Sequence, residues 1–256
     1  MQQMVTDSVK NAYDEFYNKH DEAWRMLGAK YNAQHIIDVC KGHTFKKVLE
    51  VGAGDGSILK LLAKQNFAPE YHAVEISESG VEHIKTRDIA NLKSVQIFDG
   101  YHLPFEDNSF DLIILSHVLE HVEHERLLLR ELKRVARYSV IEVPRDYKAD
   151  VDKRIKHFLA YGHINMYTPT SLRYLLRTEG FDIASDLTSM IEPEVTKFNT
   201  YINQRKPKSL ITDLKISAEY TVKKSLVALM GKKKAEEMAS AYTVLCKKAD
   251  EEVKIF

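Results

Sequence analysis

The stretch VLEVGAGDGS, residues 48–57, joins a short apolar run to three alternating glycines. The apolar run predicts a buried strand, and Ile58, Leu59, Leu61 and Leu62 then recur at helical spacing. A strand, a tight glycine turn and a helix N-terminus form the arrangement by which an open α/β sheet holds a nucleotide-like ligand. Glycine lets the backbone take positive φ angles and approach such a ligand closely. The stretch therefore predicts an α/β fold whose ligand lies at this turn.

The spacing of the glycines separates two classes of α/β protein. A dinucleotide-binding fingerprint has glycines at its first, third and sixth positions, but the sixth position here is Ser57. The pattern is instead E-x-G-x-G-x-G, beginning at Glu50. It resembles the first motif of class I S-adenosylmethionine-dependent methyltransferases. An NAD-dependent oxidoreductase is kept as the alternative.

Further motifs follow in the order of that family. A second predicted strand, 71–76, carries Glu75 about 20 residues after the glycine loop, where an acid commonly binds ribose hydroxyls. The chain then reads D-G-x-x-L-P-F at 99–105, S-F-D-L-I-I at 109–114 and L-E-H-V at 119–122. This series resembles the broad family that includes ubiquinone-type and related small-molecule methyltransferases.

The resemblance implies S-adenosylmethionine as cofactor and S-adenosylhomocysteine as product. Glu50 and the glycine loop would border the methionine part, Glu75 would hold the ribose diol, and Asp99 would accept a hydrogen bond from the adenine amino group. Ile76 would pack on the adenine ring. The residues that the resemblance places at this cofactor are Tyr17, Glu50, Gly52, Ala53, Gly54, Glu75, Ile76, Asp99, Gly100, Tyr101 and Ser116.

Four further residues are candidates for the acceptor side. His117 follows the predicted fourth strand and is a candidate general base, because the ordinary pKa of histidine lies near neutral pH. Arg145 follows the fifth strand and is a candidate clamp for a carboxylate or phosphate. His163 and Tyr167 lie in a segment that resembles an acceptor-side segment of the family. The resemblance makes His163 a candidate catalytic residue and Tyr167 a candidate substrate contact. A structural turn explains these last two residues equally well.

Residues 117–121 also match H-x-x-E-H, a pattern known from zinc proteases. The L-E-H-V motif of the methyltransferase family explains Glu120 and His121 without a metal ion. We therefore predict no metal site from the sequence.

The chain is predicted to hold one Rossmann-like sheet of seven strands, mostly parallel, with helices on both faces. Its predicted parts are an N-terminal helical lid at 1–45, a cofactor-binding core at 46–190, a helical substrate-side insertion at 191–239, and a final antiparallel strand and tail at 240–256. The lid segment is rich in aromatic residues, and an amphipathic helix that packs on the edge of the sheet is the alternative. Apolar residues at helical steps predict one long amphipathic helix that ends at Gly231. A helix over 170–180 is predicted with Thr170 or Ser171 as its N-cap.

The amino-acid composition limits the kinds of binding partner and cellular location that are expected. The 37 basic and 37 acidic side chains balance, which argues against a wholly nucleic-acid-binding protein. The two cysteines fit no disulfide or zinc pattern and no apolar run spans a bilayer, so a cytoplasmic protein is expected. The basic insertion is either a solvated helix face or an attractor for an anionic acceptor. The oligomeric state is not predicted.

Together these features predict a methyltransferase that acts on a hydroxyl or amine of a small polar, possibly anionic, metabolite by in-line displacement. A non-catalytic S-adenosylmethionine-binding module is the second alternative, because an intact cofactor site does not require transfer.

Overall fold

A seven-stranded sheet forms the centre of the protein. The computed structural model describes residues 22–148, 150–251 and 253, so Tyr17 lies outside the described residues. The strands are β1 (Lys47–Val51), β2 (Glu70–Glu75), β3 (Leu92–Ile97), β4 (Phe110–Ser116), β5 (Ala136–Pro144), β6 (Phe181–Ser189) and β7 (Ala241–Lys248). Their order in the sheet is β3-β2-β1-β4-β5-β7-β6. β7 runs antiparallel to both of its neighbours and the other pairs are parallel, which confirms the predicted fold class.

Helices cover both faces because the central strands are apolar on both sides. The helices are α1 (Glu22–Val39), α2 (Ser57–Lys64), α3 (Glu78–Thr86), α4 (Glu125–Val135), α5 (Val151–Tyr161), α6 (Pro169–Thr178), α7 (Pro193–Phe198) and α8 (Leu210–Met238), with a 3-10 turn at Leu119–His121 and a π-helical turn at Asn199–Asn203. Helices α1, α2 and α3 supply the core on one face of the sheet, and α4 and α6 supply the core on the other. No helix within the described ranges is long and apolar enough to cross a membrane.

The segment predicted as a lid contributes to this core. The described part, α1, buries Ala33, Ile36 and Val39 against one face of the sheet rather than on its edge. The hydroxyl of Ser185 in β6 donates to the carbonyl of Val39 and ties the end of α1 to the sheet. Movement of the segment over a ligand stays a prediction.

Several sequence-based boundaries were wrong. The apolar and β-branched stretch 95–100 predicts a third strand that ends at Gly100, but β3 ends at Ile97. The Asp99 carboxylate accepts from the Tyr101 and His102 backbone and turns the chain away. The N-cap of α6 is Thr168, not Thr170 or Ser171. Pro169 fits the first helical position, where no backbone donor is needed, so the cap is the residue directly before it, Thr168. Ser171 completes a reciprocal capping box with Thr168.

The insertion before β7 leaves and rejoins the sheet at one edge. Ser189 in β6 pairs with Ala241 in β7, and the Ser240 N–H donates to the Ser189 carbonyl at 2.7 Å. Ala241 also pairs with Pro144, the last residue of β5. The insertion therefore starts and ends at the carboxyl edge of the parallel strands, the edge at which such sheets bind ligands.

Helix α8 differs from the predicted amphipathic helix. It breaks at Gly231, whose φ of 72° is not helical, and then continues to Met238. The helix packs through half-buried Ile216 and Val227, but none of its residues is fully buried. Its opposite face carries apolar side chains that are more than two thirds exposed, namely Leu210, Ile211, Leu214 and Leu229. Apolar spacing alone did not reveal which face would meet the protein.

The observed cap of α6 is testable by two neighbouring substitutions. Thr168→Ala removes the side chain that accepts from the Ser171 N–H and should lower the free energy of unfolding by about 1 kcal/mol. Thr170→Ala, at an exposed position in the same turn, should change it by less than about 0.5 kcal/mol. Urea unfolding of both variants measures the difference. A larger effect at Thr170 would place the cap where the sequence pattern had put it.

Candidate active site

The glycine loop after β1 curls against the end of β2. The N–H groups of Gly52 and Ala53 both donate to the Val74 carbonyl, at 2.9 and 3.2 Å. Gly52 has a φ of 68°, and a Cβ placed there would lie 2.6 Å from a methyl group of Val118. The loop therefore requires glycine at this position both for its backbone angle and for its contact with the segment after β4.

The Glu75 carboxylate fastens this loop to the turn after β2. One oxygen accepts from the Gly54 N–H at 2.8 Å, and the other accepts from the Ile76 N–H at 2.9 Å and from Ser77. A Cβ on Gly80 would lie 2.7 Å from the Glu75 Cγ, so only glycine lets α3 approach this closely. Burial raises the pKa of Glu75, and the backbone donors oppose that rise.

Glu50 lies in the same corner with its charge poorly compensated. Its side chain is 2% exposed, and its Oε2 has no hydrogen-bond partner among the described residues. Burial and the neighbouring carboxylates of Asp55 and Glu75 raise the pKa of Glu50 well above its usual value. A buried carboxylate oxygen without a donor at the glycine loop is suited to a ligand that brings a donor or a positive charge.

Asp55, between the second and third glycines of the motif, was missed by the sequence analysis. Its Oδ2 accepts from Arg25 of α1 at 2.8 Å and from Arg87 at 2.9 Å. Its Oδ1 accepts from the Ser57 hydroxyl at 2.6 Å. These contacts outweigh burial and lower the pKa of Asp55. The two arginines are distant in sequence, so no local pattern identifies them as partners.

The third strand supplies the far end of this edge. Asp99 accepts from the N–H groups of Tyr101 and His102 at 2.9 and 2.6 Å, and the intervening Gly100 has a φ of 95°. Tyr101 is buried and Ile76 is half-buried on the neighbouring turn. The structure thus brings Glu50, the glycine loop, Glu75, Ile76 and Asp99–Tyr101 to one continuous edge. Acidic groups, close-approaching backbone and an apolar side chain fit the cofactor that the sequence resemblance implies.

A second group of polar side chains lies where β4 and β5 end. Glu142 is fully buried; its Oε1 lies 2.8 Å from His35 Nδ1 of α1 and 3.8 Å from His117 Nε2, and its Oε2 accepts from the Ser116 hydroxyl at 3.3 Å. His117 is 35% exposed and has a φ of 55°, an uncommon angle for a residue with a side chain. Burial alone would lower the pKa of His117, but Glu120, Glu142 and Asp146 raise it to about 9.

The remaining acceptor-side candidates lie at different depths. His163 Nδ1 is 2.5 Å from Asp146 Oδ2, and both residues are near the end of β5. Arg145 is half-buried, and its Nε has no hydrogen-bond partner among the described residues. Tyr167 is only 7% exposed and packs in the core, with its hydroxyl also lacking a partner there. Sequence reasoning did not identify His35, Glu142 or Asp146, because α1 and β5 meet only in the folded chain.

Comparison with known proteins gives a consistent result. The family profile described as "Methyltransferase domain" matches residues 25–186. The chain is 32% identical over 136 residues to the ubiquinone/menaquinone biosynthesis C-methyltransferase UbiE of Cupriavidus pinatubonensis, covering 52% of this chain and 54% of that protein. It is 32% identical over 124 residues to the chloroplastic tocopherol O-methyltransferase of Arabidopsis thaliana, covering 46% and 35%. The chain thus spans about half or less of these two relatives.

Solved structures agree on the fold. A SAM-dependent methyltransferase from Archaeoglobus fulgidus superposes with a TM-score of 0.57 at 21% sequence identity, over 89% of this chain and 97% of that one. At this identity the similarity concerns the fold alone.

The Asp55 cluster gives a prediction about stability. Asp55→Asn removes the buried carboxylate that pairs with both Arg25 and Arg87, and only Glu22 remains as a carboxylate 3.2 Å from Arg87. The substitution should lower the free energy of unfolding by about 3 kcal/mol at neutral pH. Because the pKa of Asp55 is lowered in the folded chain, its contribution is present above its unfolded pKa of about 3.9 and is lost as the pH falls through the folded value. Urea unfolding from pH 7 down to about pH 3 should therefore show the difference between wild type and variant closing only at the acid end.

The matched control is Glu194→Gln, which removes the partner of Lys30 in an exposed ion pair. Its effect should stay below about 1 kcal/mol at neutral pH. Equal effects of the two substitutions would contradict a structural role specific to Asp55.

Proposed function

The chain belongs to the methyltransferase domain family, and from that premise we propose that it transfers a methyl group from S-adenosylmethionine to a hydroxyl or amine of a small polar, anionic metabolite. The observation that carries the acceptor class is the row of polar and charged side chains at the ends of β4 and β5, beside the residues that fit the cofactor. His117 and Arg145 are the members of this row that we assign to the acceptor side, and Ser116 is the member that we assign to the cofactor.

Different residues along the edge would contact different parts of the cofactor. Gly52, Gly54 and Glu50 would border the methionine part, and Glu75 would accept from the ribose hydroxyls through lone pairs that its backbone donors leave available. Asp99 would hold the adenine amino group. S-Adenosylmethionine, when bound, would supply a methyl group on a sulfonium centre. The acceptor oxygen or nitrogen would form its bond to the methyl carbon in line as the carbon–sulfur bond breaks, the electron pair of that bond would stay on sulfur, and the acceptor's proton would pass to a base at its reacting end or to solvent.

The chain's own contribution to transfer is orientation. Holding an acceptor in line with a bound methyl group supplies much of the rate in such a displacement. His117 and His163 are the residues we assign to the acceptor's reacting end, each fixed by a carboxylate. Arg145, whose Nε lacks a partner among the described residues, would pair with a carboxylate or phosphate of the acceptor.

The insertion is proposed as the cap on the acceptor side. It rises from the ligand edge, and its α7 contacts α1 through a ring contact of Trp24 with Phe198 at 5.5 Å. Lys30 and Tyr31 of α1 also bind Glu194, at 2.6 and 2.7 Å. These contacts support a shared role of α1 and the insertion in enclosing the acceptor.

The alternatives have less support. A dinucleotide enzyme would have glycine where this chain has Ser57, and the Ser57 hydroxyl is committed to Asp55. A non-catalytic binding module would share the cofactor residues and differ only in the absence of turnover. The named acceptors of the relatives differ from one another, so the acceptor is argued from this chain's own site.

Titration calorimetry with S-adenosylhomocysteine is the first test of the proposal. Wild type should bind it, and Glu75→Ala should weaken binding by more than 10-fold, because a charge-assisted hydrogen bond contributes about 1.5–3 kcal/mol. Glu82→Ala, on the exposed side of α3, is the matched control and should bind as wild type does. A preference for NADH, or equal binding by Glu75→Ala, would contradict the assignment.

Turnover distinguishes the enzyme from a binding module. Methyl-labelled cofactor is incubated with the full chain and a panel of small acceptors that carry hydroxyl or amine groups, with and without a carboxylate or phosphate. We expect labelled product from anionic members, and a raised KM with a smaller change in kcat for Arg145→Gln. Binding of S-adenosylhomocysteine without any product would favour the non-catalytic module.

A further inference from the structure

Three side chains with metal-binding atoms meet beside the acceptor edge. Glu120 and His121 lie in the 3-10 turn after β4, and His163 follows α5. One ligand atom from each of the three residues lies within 4.8 Å of the others. The rings of His121 and His163 meet edge to face, with their centres 4.9 Å apart.

Both histidine rings are held in place through Nδ1, the nitrogen that would not coordinate the metal ion. His121 Nδ1 lies 3.0 Å from the Gly162 carbonyl, and His163 Nδ1 lies 2.5 Å from Asp146 Oδ2. Each ring would therefore coordinate through Nε2. A metal-binding histidine almost always donates its other N–H to a carbonyl or carboxylate, which fixes the tautomer and raises the basicity of the ligating nitrogen.

Glu120 adds an independent observation. Its side chain is 1% exposed, yet neither carboxylate oxygen meets the geometry of a hydrogen bond with any described residue. His117 Nδ1 is 3.3 Å from Oε1 as an ion pair, and His121 Nε2 is 3.9 Å from the same oxygen. Two buried carboxylate oxygens without hydrogen bonds are costly unless another group compensates them.

The backbone holds the two halves of the cluster together. The N–H groups of Ile164 and Asn165 both donate to the Glu120 carbonyl, at 2.9 and 3.0 Å. The Asn165 amide donates to the carbonyls of Leu119 and Val122, at 3.2 and 2.7 Å. Segment 162–165 is therefore clasped to the turn that carries Glu120 and His121, so the three side chains are placed by fixed backbone.

We propose that Glu120, His121 and His163 bind one divalent transition-metal ion, with Zn²⁺ as the ion best suited to two imidazoles and one carboxylate. Zinc takes such ligands at about 2.0–2.2 Å, and three protein ligands leave a fourth position for water or for an oxygen of a bound molecule. The three ligand atoms lie within 4.8 Å of one another and would draw closer together around a bound ion. His121 and His163 are 20% and 15% exposed, which gives the ion a route from solvent.

The site differs from what the sequence pattern suggested. The H-x-x-E-H pattern would use the histidines at both of its ends, His117 and His121. In the structure the second histidine is instead His163, from a segment 42 positions beyond His121. The proposal therefore replaces the prediction, made from sequence alone, that this chain holds no metal site. It concerns metal binding and holds whether or not the acceptor class proposed above is right.

Metal binding to the full chain tests the proposal directly. The protein is stripped with a chelator and titrated with ZnCl₂ by calorimetry, and its metal content is measured after dialysis. We expect one saturable site in wild type. His121→Gln and His163→Gln should each weaken it by more than about 100-fold, and Asp146→Asn, which removes the carboxylate behind His163, by about 10–100-fold.

His43→Gln is the matched control, because His43 is exposed before β1 at the opposite edge of the sheet and should not affect the site. Thermal unfolding followed by circular dichroism checks that each variant folds. If a histidine variant does not fold, the Zn²⁺ affinity of Asp146→Asn is the test. The proposal would be overturned if wild type had no saturable site. It would also be overturned if His121→Gln, His163→Gln and Asp146→Asn all left the affinity of the site unchanged. Saturation by Mg²⁺ but not Zn²⁺ would also overturn it, because imidazole ligands favour transition metals.

Discussion

The Glu75 carboxylate is the contact on which the ligand edge depends. It accepts from the N–H of Gly54 in the first turn and from the N–H groups of Ile76 and Ser77 in the second, so one side chain joins two loops that follow different strands. Helix α3 can approach only because residue 80 is glycine. The pKa of Glu75 is raised by burial, yet its donors favour the ionised form. The carboxylate that positions the loops is thus the same one that we propose for the ribose hydroxyls of the cofactor.

Charge is distributed unevenly along this edge. At the glycine loop, Asp55 forms ion pairs with two arginines. Within the described part of the chain, the neighbouring Glu50 forms no ion pair, and its Oε2 has no hydrogen-bond partner. Farther along, Glu120, Glu142 and Asp146 surround His117 and raise its pKa to about 9. These three carboxylates therefore favour the protonated form of the His117 imidazole, whereas a general base acts through its neutral form.

Local sequence was sufficient for features that depend on neighbouring residues. The apolar, β-branched and aromatic stretches 110–116 and 241–248 predict strands at the bounds that β4 and β7 have. The cap of α6 was misplaced by two or three residues, since Pro169 at the first helical position moves the cap to Thr168. The contacts of Asp55 with Arg87 and of Glu142 with His35 join residues 32 and 107 positions apart. Such pairs exist only once the sheet order is known, and no spacing in the sequence encodes them.

The antiparallel β7 makes the end of the sheet a hairpin whose turn has been replaced by the insertion. Ser189 and Ala241 remain directly paired, so the sheet closes at that point regardless of what the intervening chain does. The entropy of closing a longer loop grows only slowly with its length. The segment between these two strands can therefore lengthen, shorten or be exchanged in evolution without altering strand register or the glycine loop. If the insertion caps the acceptor as proposed, substrate choice and cofactor binding are inherited on separate parts of the chain.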